Sequence, residues 1–142
     1  MKFCRINLKE TNYNILQNWQ YIRNPDVDQL NSIYQQYCQY KRFDSVMPIF
    51  PSVYWNLHNE ILGYIDNEEI VAFSLIKLLD DKNAECMQFA WNYANPSLRL
   101  GIASLENECA LYKSRDFDYL YLGEPASYKQ KFDGFEMLGP YV

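Results

Sequence analysis

The stretch between residues 84 and 123 constrains the fold of this chain more than any other feature. Residues 84–93 are rich in large apolar side chains and predict a strand, which Asn95-Pro96 ends. A glycine-containing loop follows, and residues 102–115 carry apolar side chains three and four positions apart, which predicts a helix. Residues 119–122 are all apolar and predict a short buried strand. A strand, a helix and a second strand in this order predict a right-handed crossover between parallel neighbours.

The segments on either side of this unit predict a short strand, two helices, an antiparallel meander and an irregular tail. A turn at Asp66-Asn67 joins two of the strands into a hairpin, because Asn and Asp tolerate positive φ. In chain order we expect a strand at residues 2–8, a helix at 13–22, a second helix that begins after Asp26 and ends at Lys41-Arg42, an irregular segment at 44–58 with a short helix at 53–59, strands at 61–65 and 70–79, a helical turn at 127–132 and a last strand at 135–138.

These elements predict one domain over residues 1–142, of the α/β (α+β) class. We expect its sheet to be mixed, mainly antiparallel and twisted, with helices on both faces. A chain of 142 residues, of which 49% are hydrophobic, is long and apolar enough to bury a core of this kind.

The composition argues against several functions. Acidic residues outnumber basic ones by 18 to 13, so the formal net charge is −5. Because phosphate neutralisation drives nucleic-acid binding, DNA is not expected as a partner and tRNA is disfavoured. No apolar run reaches the roughly 18–20 residues that span a bilayer, and the N-terminus has no signal-peptide pattern. Four scattered cysteines and one histidine, His58, form no metal-ligand motif. We therefore expect a cytoplasmic protein with reduced thiols, no membrane segment and no metal.

The loop before the predicted helix is a candidate binding site. Gly101 allows a ligand to approach the backbone closely, and the first amides of a helix lack partners within it. Together with the helix dipole, these amides favour a phosphate or a carboxylate. The spacing alone leaves a second interpretation open, in which Gly101 serves only the packing of an ordinary turn.

The order of elements and this loop resemble the GNAT superfamily of acyl-CoA N-acyltransferases. The superfamily motif is Gln/Arg-x-x-Gly-x-Gly/Ala, and Gly101 and Ala103 match it, whereas Leu98 occupies the Gln/Arg position. The resemblance implies a sheet whose central strands splay apart and an acyl-CoA donor held at this loop. The residues expected to hold that donor are Arg99, Leu100, Gly101, Ile102 and Ala103.

Within residues 93–138 the chain is more similar to the GNAT-like C-terminal half of the arginyl- and leucyl-tRNA–protein transferases. The similar stretches are residues 93–101, residues 119–123 and the tail at 128–138, in which Gly134 replaces a proline. This resemblance implies aminoacyl-tRNA as an alternative donor and a protein N-terminus as the acceptor.

Three side chains are candidates for proton transfer. The GNAT resemblance implies a tyrosine that protonates the leaving thiolate, and Tyr121 and Tyr128 are candidates for that role. Glu85, on the strand beside the expected cleft, is a candidate general base toward an amine if burial raises its pKa. A structural role stays open for each tyrosine, since the chain has 13 of them, and a solvated carboxylate stays open for Glu85.

The sequence thus predicts an N-acyltransferase or aminoacyltransferase that moves a group from a CoA- or tRNA-type donor to a small-molecule or peptide amine. Holding the donor and the amine together would supply much of the acceleration, so no covalent enzyme intermediate is required. The alternative is a catalytically inactive GNAT-like binding module, which the departure at Leu98 favours.

Overall fold

The computed structural model describes residues 3–43, 49–123 and 125–139, and within them seven strands form one sheet. The strands are β1 (Phe3–Asn7), β2 (Trp19–Tyr21), β3 (Asn59–Asp66), β4 (Glu69–Leu78), β5 (Asn83–Trp91), β6 (Tyr119–Gly123) and β7 (Phe135–Leu138). The helices are α1 (Val27–Lys41), the single turn α2 (Pro51–Tyr54) and α3 (Leu100–Ser114). The order across the sheet is β2-β3-β4-β5-β6-β1-β7, and all neighbours are antiparallel except β5 and β6. This is the mixed, mainly antiparallel sheet that the sequence predicts.

The predicted crossover from β5 through α3 to β6 is confirmed, and its two strands are parallel neighbours. They pair over a short stretch, which ends at Glu85 and Tyr121. Beyond that pair, β5 continues to Trp91 and β6 to Gly123 without pairing to each other. The centre of the sheet is therefore open at the end where α3 begins.

The hairpin of β3 and β4 and the return along β5 form the predicted antiparallel meander. The turn of the hairpin lies one residue later than the predicted Asp66-Asn67, because Asn67 and Glu68 both adopt positive φ, at +50° and +67°. Two consecutive residues with positive φ give the tight turn that matches the twist of paired strands.

The two long helices lie on opposite faces of the sheet. Asp26 caps α1, as predicted, by accepting a hydrogen bond from the Gln29 amide at 3.2 Å, and Arg42 ends it in the left-handed conformation. On the other face, α3 contributes to the larger core cluster. Helices on both faces confirm the predicted fold class. The buried residues of α1 are Leu30, Ile33, Tyr34 and Cys38.

The predicted helix over residues 13–22 is wrong. No helix forms there, and Trp19–Tyr21 instead makes the edge strand β2 against β3. Backbone hydrogen bonds of 2.8 Å, from Ile65 N to Asn18 O and from Ile22 N to Ile61 O, extend this pairing at both ends. The apolar spacing allows a helix, but the open edge of β3 offers backbone partners that a short helix would leave unsatisfied.

The remaining segments follow the sequence in part. α2 occupies Pro51–Tyr54 rather than residues 53–59, because a proline favours the first position of a helix. Residues 44–48 of the predicted irregular segment lie outside the described residues. In the tail, a 3-10 turn at Lys129–Lys131 falls within the predicted helical turn, and β7 matches the predicted last strand.

Candidate functional site

A cavity of about 420 Å³ lies where β5 and β6 stop pairing. Its walls come from α1, from the end of β5, from the first turns of α3, and from Leu122 and the tail segment that follows β6. A volume of this size is in the range of small-molecule sites. The lining residues are Tyr37, Lys41, Cys86, Met87, Gln88, Phe89, Tyr93, Gly101, Ile102, Ser104, Leu105, Glu108, Leu122, Tyr128 and Lys129.

The start of α3 opens toward this cavity and has no side-chain cap. Arg99 precedes the helix in the left-handed conformation, with φ of +50°, and its carbonyl accepts from the amides of Ile102 and Ala103 at 3.2 and 3.0 Å. Among the described residues, no acceptor is found for the amides of Leu100 and Gly101. Of the backbone groups predicted to hold a donor, these two amides are thus unpaired.

Gly101 is not required by the packing of the helix. Its φ is not positive, and a Cβ added at this position would meet nothing within 4 Å. The interpretation that Gly101 serves packing therefore has no contact to support it. The absent side chain leaves space at the mouth of the cavity, where Gly101 and the 38% exposed Ile102 form part of the lining.

A bulge in β5 shapes the facing wall. In the pairing with β4, Cys86 and Gln88 have partners, whereas Met87 between them has none. All three residues line the cavity. The bulge therefore lies just beyond the point where β5 leaves β6, and four consecutive residues of this strand, 86–89, line the cavity.

Glu108 is the buried acid of the site. It lies on α3, is only 3% exposed, and its Oε2 accepts hydrogen bonds from the hydroxyls of Tyr64 and Ser74 at 2.5 and 2.9 Å. Its Oε1 lies 3.7 Å from the Sγ of Cys86. Burial raises the pKa of Glu108 to about 7, and the hydrogen bonds from its neighbours oppose that shift.

The network around Glu108 extends to the segment that precedes β2. Asn107 Nδ2 donates to the hydroxyl of Tyr64 at 3.2 Å, and Asn107 Oδ1 accepts from the amide of Leu16 at 2.7 Å. The Tyr64 hydroxyl also lies 3.1 Å from the carbonyl of Ser104. Burial, followed by the negative charge of Glu108, raises the pKa of the Cys86 thiol well above its ordinary value. These contacts hold the acid in one position.

Tyr128 is the one predicted catalytic residue that lines the cavity. Its side chain is 45% exposed, and desolvation raises its pKa, with smaller contributions from Cys86 and Glu108. Beside it, Lys129 donates from Nζ to the carbonyl of Leu122 at 3.0 Å. Tyr128 thus stands next to the open end of β6.

Tyr121 and Glu85 do not line this cavity. Leu120 and Leu122 of β6 are buried in the core beneath α3, so the alternating Tyr121 points to the opposite face of the sheet. There its hydroxyl accepts from Arg5 Nη1 at 3.1 Å. Glu85 is its partner across the strand pair. The structure therefore separates these two candidates from Tyr128.

Three residues that line the cavity, Tyr37, Phe89 and Tyr93, belong to a larger aromatic cluster. Tyr93 stacks on Tyr40 and on Trp91 with ring centroids 3.7 and 4.3 Å apart. Tyr37 of α1 contacts the ring of Phe89 edge-on at 6.2 Å. Stacked and edge-on ring pairs of this kind stabilise the fold by more than the burial of their surface alone.

Sequence reasoning did not identify Glu108 or the α1 wall. The signal for Glu108 is its position, since it lies three residues after Leu105 and four before Tyr112 on the predicted apolar face of the helix. A carboxyl on such a face is buried and needs partners. Tyr37 carries no comparable signal, because the approach of α1 to β5 depends on the whole sheet.

Within residues 3–43, 49–123 and 125–139, no group of histidine, cysteine and acidic side chains is arranged to hold a metal ion. Across the same described ranges, no helix is long and apolar enough to cross a membrane.

No protein-family model matches the sequence, and no curated protein matches it. Solved structures do match its fold. A protein from Novosphingobium aromaticivorans, described as an acetyltransferase from the GNAT family, aligns with TM-score 0.62 and 14% identity over 95% of this chain and 58% of its own. The ribosomal-protein-S18-alanine N-acetyltransferase of Escherichia coli aligns with TM-score 0.61 and 18% identity over 77% of this chain and 67% of its own. The N-myristoyltransferase of Saccharomyces cerevisiae, with bound myristoyl-CoA, aligns with TM-score 0.58 and 10% identity over 96% of this chain and 47% of its own.

At these identities the likeness is one of fold, and the chain has the fold of the GNAT N-acyltransferases. This confirms the predicted resemblance to that superfamily at the level of the fold. The chain spans about half the length of the yeast enzyme and 58% of the Novosphingobium protein. The closer similarity to the aminoacyl-tRNA–protein transferases stays a prediction.

Proposed function

We propose that this protein transfers an acyl group from a coenzyme A thioester to a primary amine in the cavity between β5 and β6. The observation that carries the proposal is the opening between these strands, bordered by the uncapped start of α3 and by empty space at Gly101. Proteins of the same fold are N-acyltransferases, and one of them was solved with bound myristoyl-CoA. No metal is invoked.

The start of α3 is suited to the phosphate groups of such a donor. The unpaired amides of Leu100 and Gly101 and the positive end of the helix dipole favour an anion. A side chain at position 101 would occupy the space through which phosphates approach these amides. Arg99, which is exposed beside them, adds a positive charge. The amides of Ile102 and Ala103 already donate to the Arg99 carbonyl, so these two residues would contact the donor without hydrogen-bonding it through their amides.

The chemistry is a direct transfer. The amine nitrogen attacks the thioester carbonyl carbon, the carbon–nitrogen bond forms, and the carbon–sulfur bond breaks. Tyr128 is the candidate that donates a proton to the leaving thiolate, since its hydroxyl-bearing side chain lines the cavity. Tyr121 and Glu85 lie on the other face of the sheet, so a role for them would act through the strand pair and not by contact.

The net charge of the protein bears on the choice of donor, and its free cysteines bear on the compartment in which it works. The protein has a net charge of −5, which repels a partner with many phosphates. A CoA thioester is therefore favoured over aminoacyl-tRNA, which presents far more phosphate. The acceptor is a small-molecule or peptide amine. The four cysteines are free, which suits a reducing compartment, and we place the protein in the cytoplasm as part of this proposal.

Calorimetric titration with acetyl-CoA and myristoyl-CoA tests the donor site. We expect binding by the natural chain and a loss of at least about tenfold in affinity for Gly101→Leu, whose side chain enters open space and so leaves the fold intact. Gln35→Leu is the matched control, because Gln35 is exposed on α1 outside the cavity. Absence of binding at millimolar donor would refute the proposal.

Release of CoA thiol in the presence of amines distinguishes the enzyme from the alternative of an inactive binding module. Amine-dependent release that Tyr128→Phe slows supports catalysis. Donor binding without any amine-dependent release would support the binding module instead.

A further inference from the structure

Among the residues that the structure describes, no cationic side chain forms an ion pair with the carboxyl of Glu108. The ion pairs found among the described ranges join Arg5 to Glu136, Lys9 to Asp118 and Arg115 to Glu60, and none includes Glu108. Carboxylates are rarely buried to this degree without such a partner, because removing their charge from water is costly. A buried acid at the wall of a cavity is therefore complementary to a cation that enters the cavity.

The two oxygens of Glu108 are not equivalent. Oε2 is bound by the hydroxyls of Tyr64 and Ser74, which fix the orientation of the carboxyl group. Oε1 lies beside Cys86, and both residues contribute to the lining of the cavity. A thiol is a weak donor, so a stronger donor from the cavity replaces its contact readily.

The proposed transfer needs a group with these properties. An amine that becomes an amide must lose a proton from its nitrogen, and a base held near the reacting atoms speeds this loss. Titratable or charged groups surround Glu108 on every side. They are Tyr64 of β3, Cys86 of β5, Cys109 and Tyr112 of α3, and Tyr37, Lys41, Tyr93, Tyr128 and Lys129 at the cavity. These neighbours are all protonated near neutral pH, so the carboxyl group of Glu108 is the one group here that can accept a proton.

We propose that Glu108 accepts, at Oε1, the proton that the acceptor amine loses as its nitrogen bonds to the acyl carbon. This inference rests on the proposed acyl transfer. The nitrogen–hydrogen bond breaks, its electron pair stays on nitrogen, and the proton passes to the carboxylate. The same proton later leaves to solvent, while the thiolate of the donor is protonated separately. Tyr64 and Ser74 act as positioning residues, since they hold Oε2 and leave Oε1 available.

Acyl-transfer kinetics of the full chain test this role, with acetyl-CoA as donor and with spermidine and a peptide with a free N-terminus as acceptors. Glu108→Gln retains the shape of the side chain and an oxygen for the two hydroxyls. We expect kcat/KM to fall about 10²–10⁴-fold, with the calorimetric Kd for acetyl-CoA unchanged within about threefold. The natural chain should gain activity as pH rises through about 7, where Glu108 loses its proton, and this limb should vanish in Glu108→Gln.

Two further variants make the test specific. Glu106→Gln removes a half-buried carboxyl from the same helix that does not line the cavity, and it should leave both the rate and the pH profile unchanged. Glu108→Asp retains the acid but shortens its reach, so it should keep the pH limb at a reduced rate. This second variant decides the question should Glu108→Gln not fold.

The outcomes separate this inference from the proposed function. A Glu108→Gln enzyme with natural kcat/KM and an unchanged pH limb would overturn the role of Glu108 and leave the acyl transfer standing. A natural chain that neither binds acetyl-CoA nor releases its thiol with either amine would overturn both.

Discussion

Tyr64 of β3 donates its hydroxyl proton to Oε2 of Glu108 on α3 across a distance of 2.5 Å. Tyr64 is fully buried, so this contact joins the sheet to the helix at a point that water does not reach. The hydrogen bond lowers the pKa of Glu108, whereas burial raises it by more. The pKa of Glu108 therefore depends on the packing of α3 against β3.

Replacement of Tyr64 by phenylalanine should alter both stability and the acid. The hydroxyl also accepts from Asn107, so its loss leaves buried polar groups unsatisfied and should cost about 1–3 kcal/mol in the free energy of unfolding. Without the hydrogen bond, the pKa of Glu108 should rise further, and any activity limb should move to higher pH. Urea unfolding and a pH–rate profile measure the two effects.

Tyr54→Phe is the matched control for this change. Tyr54 is also buried, but its hydroxyl donates to Asn31 on α1 at 2.8 Å, and the residue lies outside the cavity of the candidate site. It should cost less stability and leave the pH profile in place. An identical shift of the profile in both variants would contradict the assignment of the limb to Glu108.

The contribution of Glu108 to stability should fall as pH rises from about 4.5 to about 7. The pKa of Glu108 is about 7 in the folded chain against an ordinary 4.5, so between these values the folded state binds more protons than the unfolded state. The stabilisation from this group is complete below about pH 4.5 and is lost as pH rises through about 7, on the order of 3 kcal/mol in all. Urea unfolding of the natural chain and Glu108→Gln at several pH values isolates the contribution. A difference between them that does not change with pH would contradict the raised pKa.

Replacement of Gly101 by alanine should stabilise the fold and weaken donor binding. Glycine costs a helix up to about 1 kcal/mol relative to alanine, and the added Cβ meets no atom of the protein. The same Cβ reduces the space beside the unpaired amides. Thermal unfolding and acetyl-CoA titration should therefore change in opposite directions. A less stable Gly101→Ala variant would show that the space is not open.

Gly134→Ala should have the opposite effect on stability. Gly134 has φ of +74°, and a Cβ there would lie 2.4 Å from the carbonyl oxygen of Asn7. Strained backbone and the clash together should cost about 2–4 kcal/mol, measured by urea unfolding beside Gly101→Ala. Natural stability in this variant would mean that the turn before β7 differs from the one described. Proline, which the resembled transferase tail has at this position, does not reach a positive φ.

Local signals suffice for much of the fold. Some elements depend only on interactions between residues close in sequence, so sequence patterns predict them. They include the cap at Asp26, the periodic apolar face of α1 and the polar turn after β3. The order of strand, helix and strand around Gly101 likewise predicts the parallel pair of β5 and β6, because few connections between such elements are sterically favourable.

The site and one element depend on contacts between residues far apart in the chain. Residues 13–22 have the apolar spacing of a helix, yet the exposed edge of β3 pairs with Trp19–Tyr21 as a strand. Tyr64 and Glu108 lie 44 positions apart, and no local pattern brings them together. Tyr121 and Tyr128 are both candidates from the sequence, and the alternation of side chains along β6 turns Tyr121 away from the cavity. Hydrogen bonding and burial across the sheet set these positions, since each requires surfaces that exist only once the strands have assembled.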